Sequence, residues 1–295
     1  MADSSSDAIL KTLLYAEIFD FPLKKKEIYS YLISPKKISL ARVLRDLNYL
    51  KNKISLDGDY LFINNKKSLV LKRIEREEIS KNKMVFAINV IKKLAFIPTV
   101  KFVGISGALA MRNCEEEDDI DLFVITEENT VWFSRLFLIL YLKFLRVYRG
   151  KKEKNVKNKI CLNMMVDEKQ MSFKDNDKNL YTAHEIIQLI PVLDKKNTYQ
   201  KFIKQNSWIY ELLANYKFDK KIYFKSKNNF LDESFVLLLK NSSIEHVSEI
   251  VQKKYMNEFI TKEIIRDGFL AFHPFDYKQF ALREYNKKLR KFNLI

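Results

Sequence analysis

Residues 101–126 read KFVGISGALAMRNCEEEDDIDLFVIT, and the rest of the chain is best understood outward from them. Residues 101–105 form a short β-prone run, Ser106-Gly107 interrupts it, and Ala108 to Met111 opens a helix. Two of the five glycines in the chain, Gly104 and Gly107, fall in this turn. A glycine at a strand-to-helix break lets the backbone approach a ligand closely, and the N–H groups of a new helix favour a bound phosphate. Residues 119–125 then read as a buried strand that begins with two carboxylates at i and i+2. Side chains alternate along a strand, so Asp119 and Asp121 share a face with Cα atoms roughly 6–7 Å apart. Such a pair can converge on two magnesium ions about 3.5–4 Å apart. Carboxylates on an apolar strand are costly without cations. The stretch therefore calls for a ligand; the bland alternative is an acidic loop, 115–121, entering a core strand.

On the N-terminal side, apolar spacing predicts a helix with Ile9, Leu10, Leu13, Leu14 and Ile18 inward and Asp7 as N-cap. A short helix follows over 24–33. A third, capped by Ser39, runs to Asn52 with Leu40, Val43, Leu44, Leu47 and Leu50 on its buried face. Asp57-Gly58 between two apolar runs predicts a hairpin. Three helices and a hairpin resemble a winged-helix domain, whose third helix would present Arg42, Arg45, Asn48 and Lys51 outward, with Lys36 and Lys37 before it; the same residues also suit an ordinary solvated face. A long helix over 67–96 links this unit to the α/β segment. Beyond Phe173 the pattern reads as helical almost throughout: 180–189, 199–216, 229–239, 243–268 and 275–292. The expected organisation is a winged-helix-like domain (1–66), a core with its leading helix (67–170) and a C-terminal helical region (171–295).

Composition narrows the classes. The 295 residues suit two or three domains, and 47% hydrophobic with 13% aromatic residues builds a real core and excludes global disorder. Five glycines and five prolines argue against collagen-like and turn-rich all-β chains. Cys114 and Cys161 read as ordinary thiols, too few for a disulfide scaffold, and His184, His246 and His273 are too scattered for a histidine metal site. The formal charge of +16 fits a polyanionic partner, or equally a lysine- and asparagine-favouring genome. The polar start and a longest apolar run of only 136–142 predict a soluble, cytoplasmic chain with no membrane partner.

The hydrophobic strand, the Gly107-Ala108 turn, the ten intervening residues 109–118 and Asp119-Ile120-Asp121 together resemble the nucleotidyltransferase superfamily that includes DNA polymerase beta and the CCA-adding enzymes. The resemblance covers residues 100–166 and implies an α+β fold: a small mixed-sheet nucleotidyltransferase core between the winged-helix-like domain and the helical region. It implies a Mg²⁺- or Mn²⁺-dependent enzyme that moves a nucleoside monophosphate from an NTP, ATP foremost, to an acceptor hydroxyl. Asp119 and Asp121 would be the catalytic metal-binding acids. Ser106, Gly107, Ala108 and Arg112 would contact the nucleotide, with Ser106 supplying the hydroxyl that Ala108 lacks where the family has Ser or Gly. Larger members carry a third carboxylate on a later strand. The matching run, 159–166, has Asn163 at its centre, as readily a neutral metal ligand as a structural hydrogen-bonder, while Asp167 and Glu168 follow directly. Arg135, Lys143, Arg146, Arg149, Lys151 and Lys152 are phosphate-clamp candidates or a solvated face. His184-Glu185 reads as a capping or hydrogen-bonded pair, and His273-Pro274 with Asp276 as a helix boundary. The acceptor stays open among an RNA end, a protein hydroxyl and a small molecule, and the winged-helix-like unit with the basic charge tilts toward RNA or DNA. The alternative is a catalytically degenerate core serving as a nucleic-acid-binding or regulatory module.

Overall fold

The computed structural model describes residues 4–63, 67–150, 153–218, 221–226, 234–237, 239, 243–257, 263–272 and 277–295. Helix α1 (Ser5–Glu17) starts at Ser4, whose Oγ accepts the Asp7 N–H while the Asp7 carboxylate accepts the Ser4 N–H. Asp7 is thus the third helical residue of a capping box and not the N-cap expected from sequence. Strand β1 (Leu23–Lys24), α2 (Lys25–Ser30), α3 (Leu40–Tyr49), β2 (Ser55–Asp57) and β3 (Tyr60–Phe62) complete the N-terminal unit, with a three-stranded antiparallel sheet in the order β1-β3-β2. The Asp57-Gly58 hairpin is present, with Gly58 at φ +57°. Helix α3 buries only Val43 and Leu47 along its length, and Leu50 just after it, while Leu40 and Leu44 join Arg42, Arg45 and Asn48 on the exposed side. The inward stripe is narrower than the leucine count suggests.

Next come α4 (Ser68–Lys93), β4 (Val100–Ile105), α5 (Gly107–Ala110), β5 (Ile120–Thr126), α6 (Val131–Phe144), β6 (Ile160–Asp167), α7 (Leu180–Gln188), β7 (Ile190–Lys195), α8 (Thr198–Gln205), β8 (Phe224–Ser226), α9 (Ile244–Asn257), β9 (Ile264–Arg266), β10 (Phe269–Ala271) and α10 (Tyr277–Lys291). The result is a mixed α/β chain around a seven-stranded sheet in the order β8-β7-β4-β5-β6-β10-β9. Strand β5 pairs antiparallel with β4 and parallel with β6.

Alternation along β5 splits its side chains between two cores. Ile120, Leu122 and Val124 join α4 and α6 on one face; Phe123 and Ile125 join α7 and α8 on the other. Asp119 and Asp121, being odd-numbered, fall on the α7 face at the strand's open end.

The region after Phe173 corrects the expectation of a helical tail, since it supplies β7, β8, β9 and β10, and β7 lies directly beside β4. Residues 190–195 are a short apolar run at the end of a helical pattern, where periodicity alone does not separate a buried strand from a helix. Helix α8 stops at Gln205 and gives way to a 3-10 turn, Ser207–Glu211. Most of the helix expected over 229–239 lies outside the described residues, as do Lys151, Lys152, His273, Pro274 and Asp276.

The N-terminal unit is docked, not tethered. Arg73 of α4, 2% exposed, donates from Nε to Glu77 at 2.9 Å and from Nη2 to Glu27 at 3.0 Å, with its guanidinium carbon 3.6 Å from the centre of the Phe21 ring. Tyr285 and Leu289 of α10 complete the core around α1. Among the described residues no helix is long and apolar enough to cross a membrane.

Candidate active site

The acid pair and the glycine corner meet. The Ser106 N–H donates to the Asp121 carbonyl at 2.9 Å, which fixes the end of β4 against the start of β5. Gly107 follows at φ +63°, and a Cβ built on it would lie 2.5 Å from Asp121 Oδ2. Only glycine permits this approach. Asp119, Asp121 and Cys161 each offer a ligand atom within 4.8 Å of the others. Cys161 reaches the cluster because parallel pairing sets it opposite Asp121, and Asn163 sits at the register shift between Leu162 and Met164. Arg149 Nη1 donates to Asp119 Oδ2 at 2.5 Å and approaches Cys161 Sγ at 3.7 Å.

A cavity of about 410 Å³ surrounds this group. Its walls include Gly107, Ala108, Asn163, Tyr181 and Glu185, together with Tyr15, Phe19 and Phe21 from the N-terminal unit. Burial, then the charge of Asp119, pushes the Asp121 carboxyl up to about 7. Burial, then Asp121, raises Glu185 to about 7. Burial, then both aspartates, holds the Cys161 thiol well above its ordinary range, so it is neutral and weakly nucleophilic. Two carboxylates held this close are what a divalent cation relieves, and their oxygens suit a hard one; the neutral Cys161 thiol is a soft, weaker donor, and Arg149 already meets part of the charge on Asp119.

Of the neighbouring acids, Glu115 pairs with Arg76 at 2.5 Å and Glu116 with Lys157 at 2.7 Å, while Asp118 lines the acid cavity, its carboxylate accepting the Glu115 N–H at 2.7 Å and its carbonyl accepting from Lys83 Nζ at 2.5 Å. Asn113 Nδ2 donates to the Phe19 carbonyl at 3.1 Å, tying the loop to the N-terminal unit.

Of the sequence-derived site residues, the fold brings together Asp119, Asp121, Gly107, Ala108 and Asn163. Ser106 lines a neighbouring cavity instead, with its Oγ buried, and Arg112 is exposed and absent from the walls of the acid cavity. Asp167 and Glu168 stand at the far end of β6, roughly 20 Å along the strand from Cys161. There Asp167 accepts the N–H groups of Lys169 and Gln170, and Glu168 lies near Lys101. Arg135 donates to Gln252 at 2.5 Å and stacks on Phe272, which gives it a packing role. His184 is buried, stacks on Tyr15 and donates from Nδ1 to the Leu180 carbonyl at 2.9 Å; burial lowers it to about 4, so it stays neutral.

Sequence reasoning read Cys161 as an ordinary thiol, Glu185 as a capping or hydrogen-bonded partner of His184, and Arg149 only as one charge in a basic run; the fold instead puts Cys161 and Glu185 on the wall of the acid cavity and bonds His184 to the Leu180 carbonyl. The signal for Cys161 was available: if strands 120–126 and 160–167 pair in parallel from their first residues, 161 falls beside 121. No family model, no curated protein and no solved structure matches this chain.

Proposed function

We propose that the chain is a metal-dependent nucleotidyltransferase that moves a nucleoside monophosphate from an NTP, ATP foremost, to an acceptor hydroxyl. The observation that carries this reading is the closure of Asp121 onto Gly107, where the carboxylate takes the space that any other residue's Cβ would fill and so stands beside Asp119 on the wall of the 410 Å³ cavity. A Mg²⁺ or Mn²⁺ ion held by Asp119 and Asp121, with Asn163 and Cys161 beside them, would supply countercharge to the phosphates and lower the pKa of the acceptor hydroxyl. Arg149 adds a guanidinium matched to phosphate oxygens. Gly107 and Ala108 bring backbone to the triphosphate. The aromatic side chains of the N-terminal unit exclude water and offer a base a stacking surface.

A second reading draws on two features: a neutral Asn163 where larger members carry an acid, and an exposed α3 bearing Arg42, Arg45 and Asn48 in a unit whose helix and strand order matches a winged helix. On that reading the core is degenerate and the chain binds nucleic acid as a regulator.

Incubation with each α-labelled NTP, Mg²⁺ and cell lysate tests the proposal. Transfer of label that Asp119→Asn and Asp121→Asn each abolish is the expected result. Nucleic-acid binding with a steep salt slope and no label transfer favours the regulator.

A further inference from the structure

We propose that a second, apolar cavity next to the acid cluster binds the acceptor, and that this acceptor is a small molecule with a ring-sized apolar body carrying a hydroxyl; the inference rests on the nucleotidyltransferase reading above. The cavity measures about 280 Å³, and Phe123, Phe173, Phe202, Phe269 and Leu189 form its walls. Phenylalanine rings from β5, α8, β10 and the segment after β6 stack or enclose an apolar ring and give nothing to a phosphate backbone. Lys278 on this wall is already paired with Asp177 at 3.6 Å, so the charge of an RNA end would meet little uncommitted positive charge here.

Besides the groups shared with the acid cavity, the wall carries Asp177, Thr182, Lys278 and Gln279. Asn163, Tyr181 and Glu185 line both cavities and so mark the passage between them. Ser106 lines only the apolar one; it is 6% exposed and its Oγ has no hydrogen-bond partner. The other carboxylate on the wall, Asp177, is already paired with Arg266 at 2.5 Å and Lys278 at 3.6 Å, so the cavity does not demand a cationic ligand. The acid cavity has its own aromatic wall for the nucleobase, which leaves the second cavity to the other substrate.

Glu185 stands where the acceptor hydroxyl would pass from one cavity into the other. The acceptor oxygen forms a bond to the α-phosphorus, and the bond from that phosphorus to the pyrophosphate oxygen breaks with its electron pair on pyrophosphate. The hydroxyl proton passes to the Glu185 carboxylate and then to water.

The test uses the full chain and two readouts. The first is saturation-transfer NMR with 2-phenylethanol as probe. Wild type and Asp121→Asn should bind it alike, while the cavity-filling Ala271→Phe and the edge-strand Ile264→Trp should each weaken binding by about ten-fold or more. The second is α-labelled ATP with Mg²⁺ and the small-molecule filtrate of a lysate. Label should enter a filtrate component with wild type and not with Ala271→Phe or Ile264→Trp, both of which should still bind Mn·ATP. Absence of probe binding, equal binding by the filled variants, displacement of the probe by ATP, or label landing on RNA or protein would overturn the proposal. Loss of Mn·ATP binding in wild type would instead sink the nucleotidyltransferase reading, with the probe readout left standing.

Discussion

Replacing Gly107 with alanine perturbs the corner in two separable ways. A residue with a Cβ at φ +63° costs about 1–2 kcal/mol in the left-handed region. The same Cβ would sit 2.5 Å from Asp121 Oδ2, whereas ordinary contact begins at 3.4 Å, so the carboxylate must retreat by about 0.9 Å. The Asp121 Cγ and Cβ, at 3.3 and 3.4 Å, leave the side chain no slack in that direction. Magnesium holds its oxygens at about 2.0–2.1 Å in near-ideal geometry, so a shift of that size removes a ligand. Gly58→Ala is the matched control: its φ of +57° carries the same strain, and nothing lies within 4 Å of the new Cβ. Gly58→Ala should lose about 1–2 kcal/mol in urea unfolding and Gly107→Ala more, by the cost of the clash, and calorimetric titration should show Mn²⁺ affinity reduced about ten-fold or more in Gly107→Ala alone. Equal metal affinity in the two variants would refute the idea that the glycine exists to admit the carboxylate.

Three further outcomes are expected. Asp121 has its folded pKa raised from 3.8 to about 7, so the folded state holds the extra proton and stability declines as pH rises between those values. In metal-free buffer Asp121→Asn should therefore raise the melting temperature at pH 8 and leave it unchanged at pH 4; a lower value at pH 8 contradicts this. Arg73→Ala strips the buried partner from Glu27 and Glu77 and should cost about 3–5 kcal/mol in urea unfolding; a loss below about 1 kcal/mol would show that the N-terminal unit is held by other contacts. Cys161→Asp adds a third carboxylate beside Asp121 and should tighten Mn²⁺ binding in titration calorimetry, and weaker binding would place residue 161 outside the coordination set.

The corner between β4 and β5 was legible because glycine spacing and period-two alternation are local signals, and they put Asp119, Asp121 and Gly107 where the chain has them. The helices of the N-terminal unit and the Asp57-Gly58 hairpin were readable for the same reason. Strand β7 was not: Ile190 to Lys195 continues the apolar density of α7, and only pairing with β4 makes it a strand. Leu40 and Leu44 misled because an amphipathic count does not reveal how wide a stripe the neighbours cover. Arg149 and Glu185 join the acids through tertiary register, from a turn and a helix distant in sequence, and a single sequence carries no mark of that meeting. Ser106 shows the limit most simply, since one residue of offset puts it on the wall of the other cavity and not of the acid one.

The most direct measurement is calorimetric titration of Mn²⁺ with a non-hydrolysable ATP analogue into wild type and into the Asp119→Asn/Asp121→Asn double variant. The expected outcome is saturable binding of the analogue by wild type that requires Mn²⁺ and disappears in the double variant, with both proteins folded by circular dichroism. Analogue binding that survives the loss of both carboxylates, or wild type that takes up neither metal nor analogue, would contradict the account.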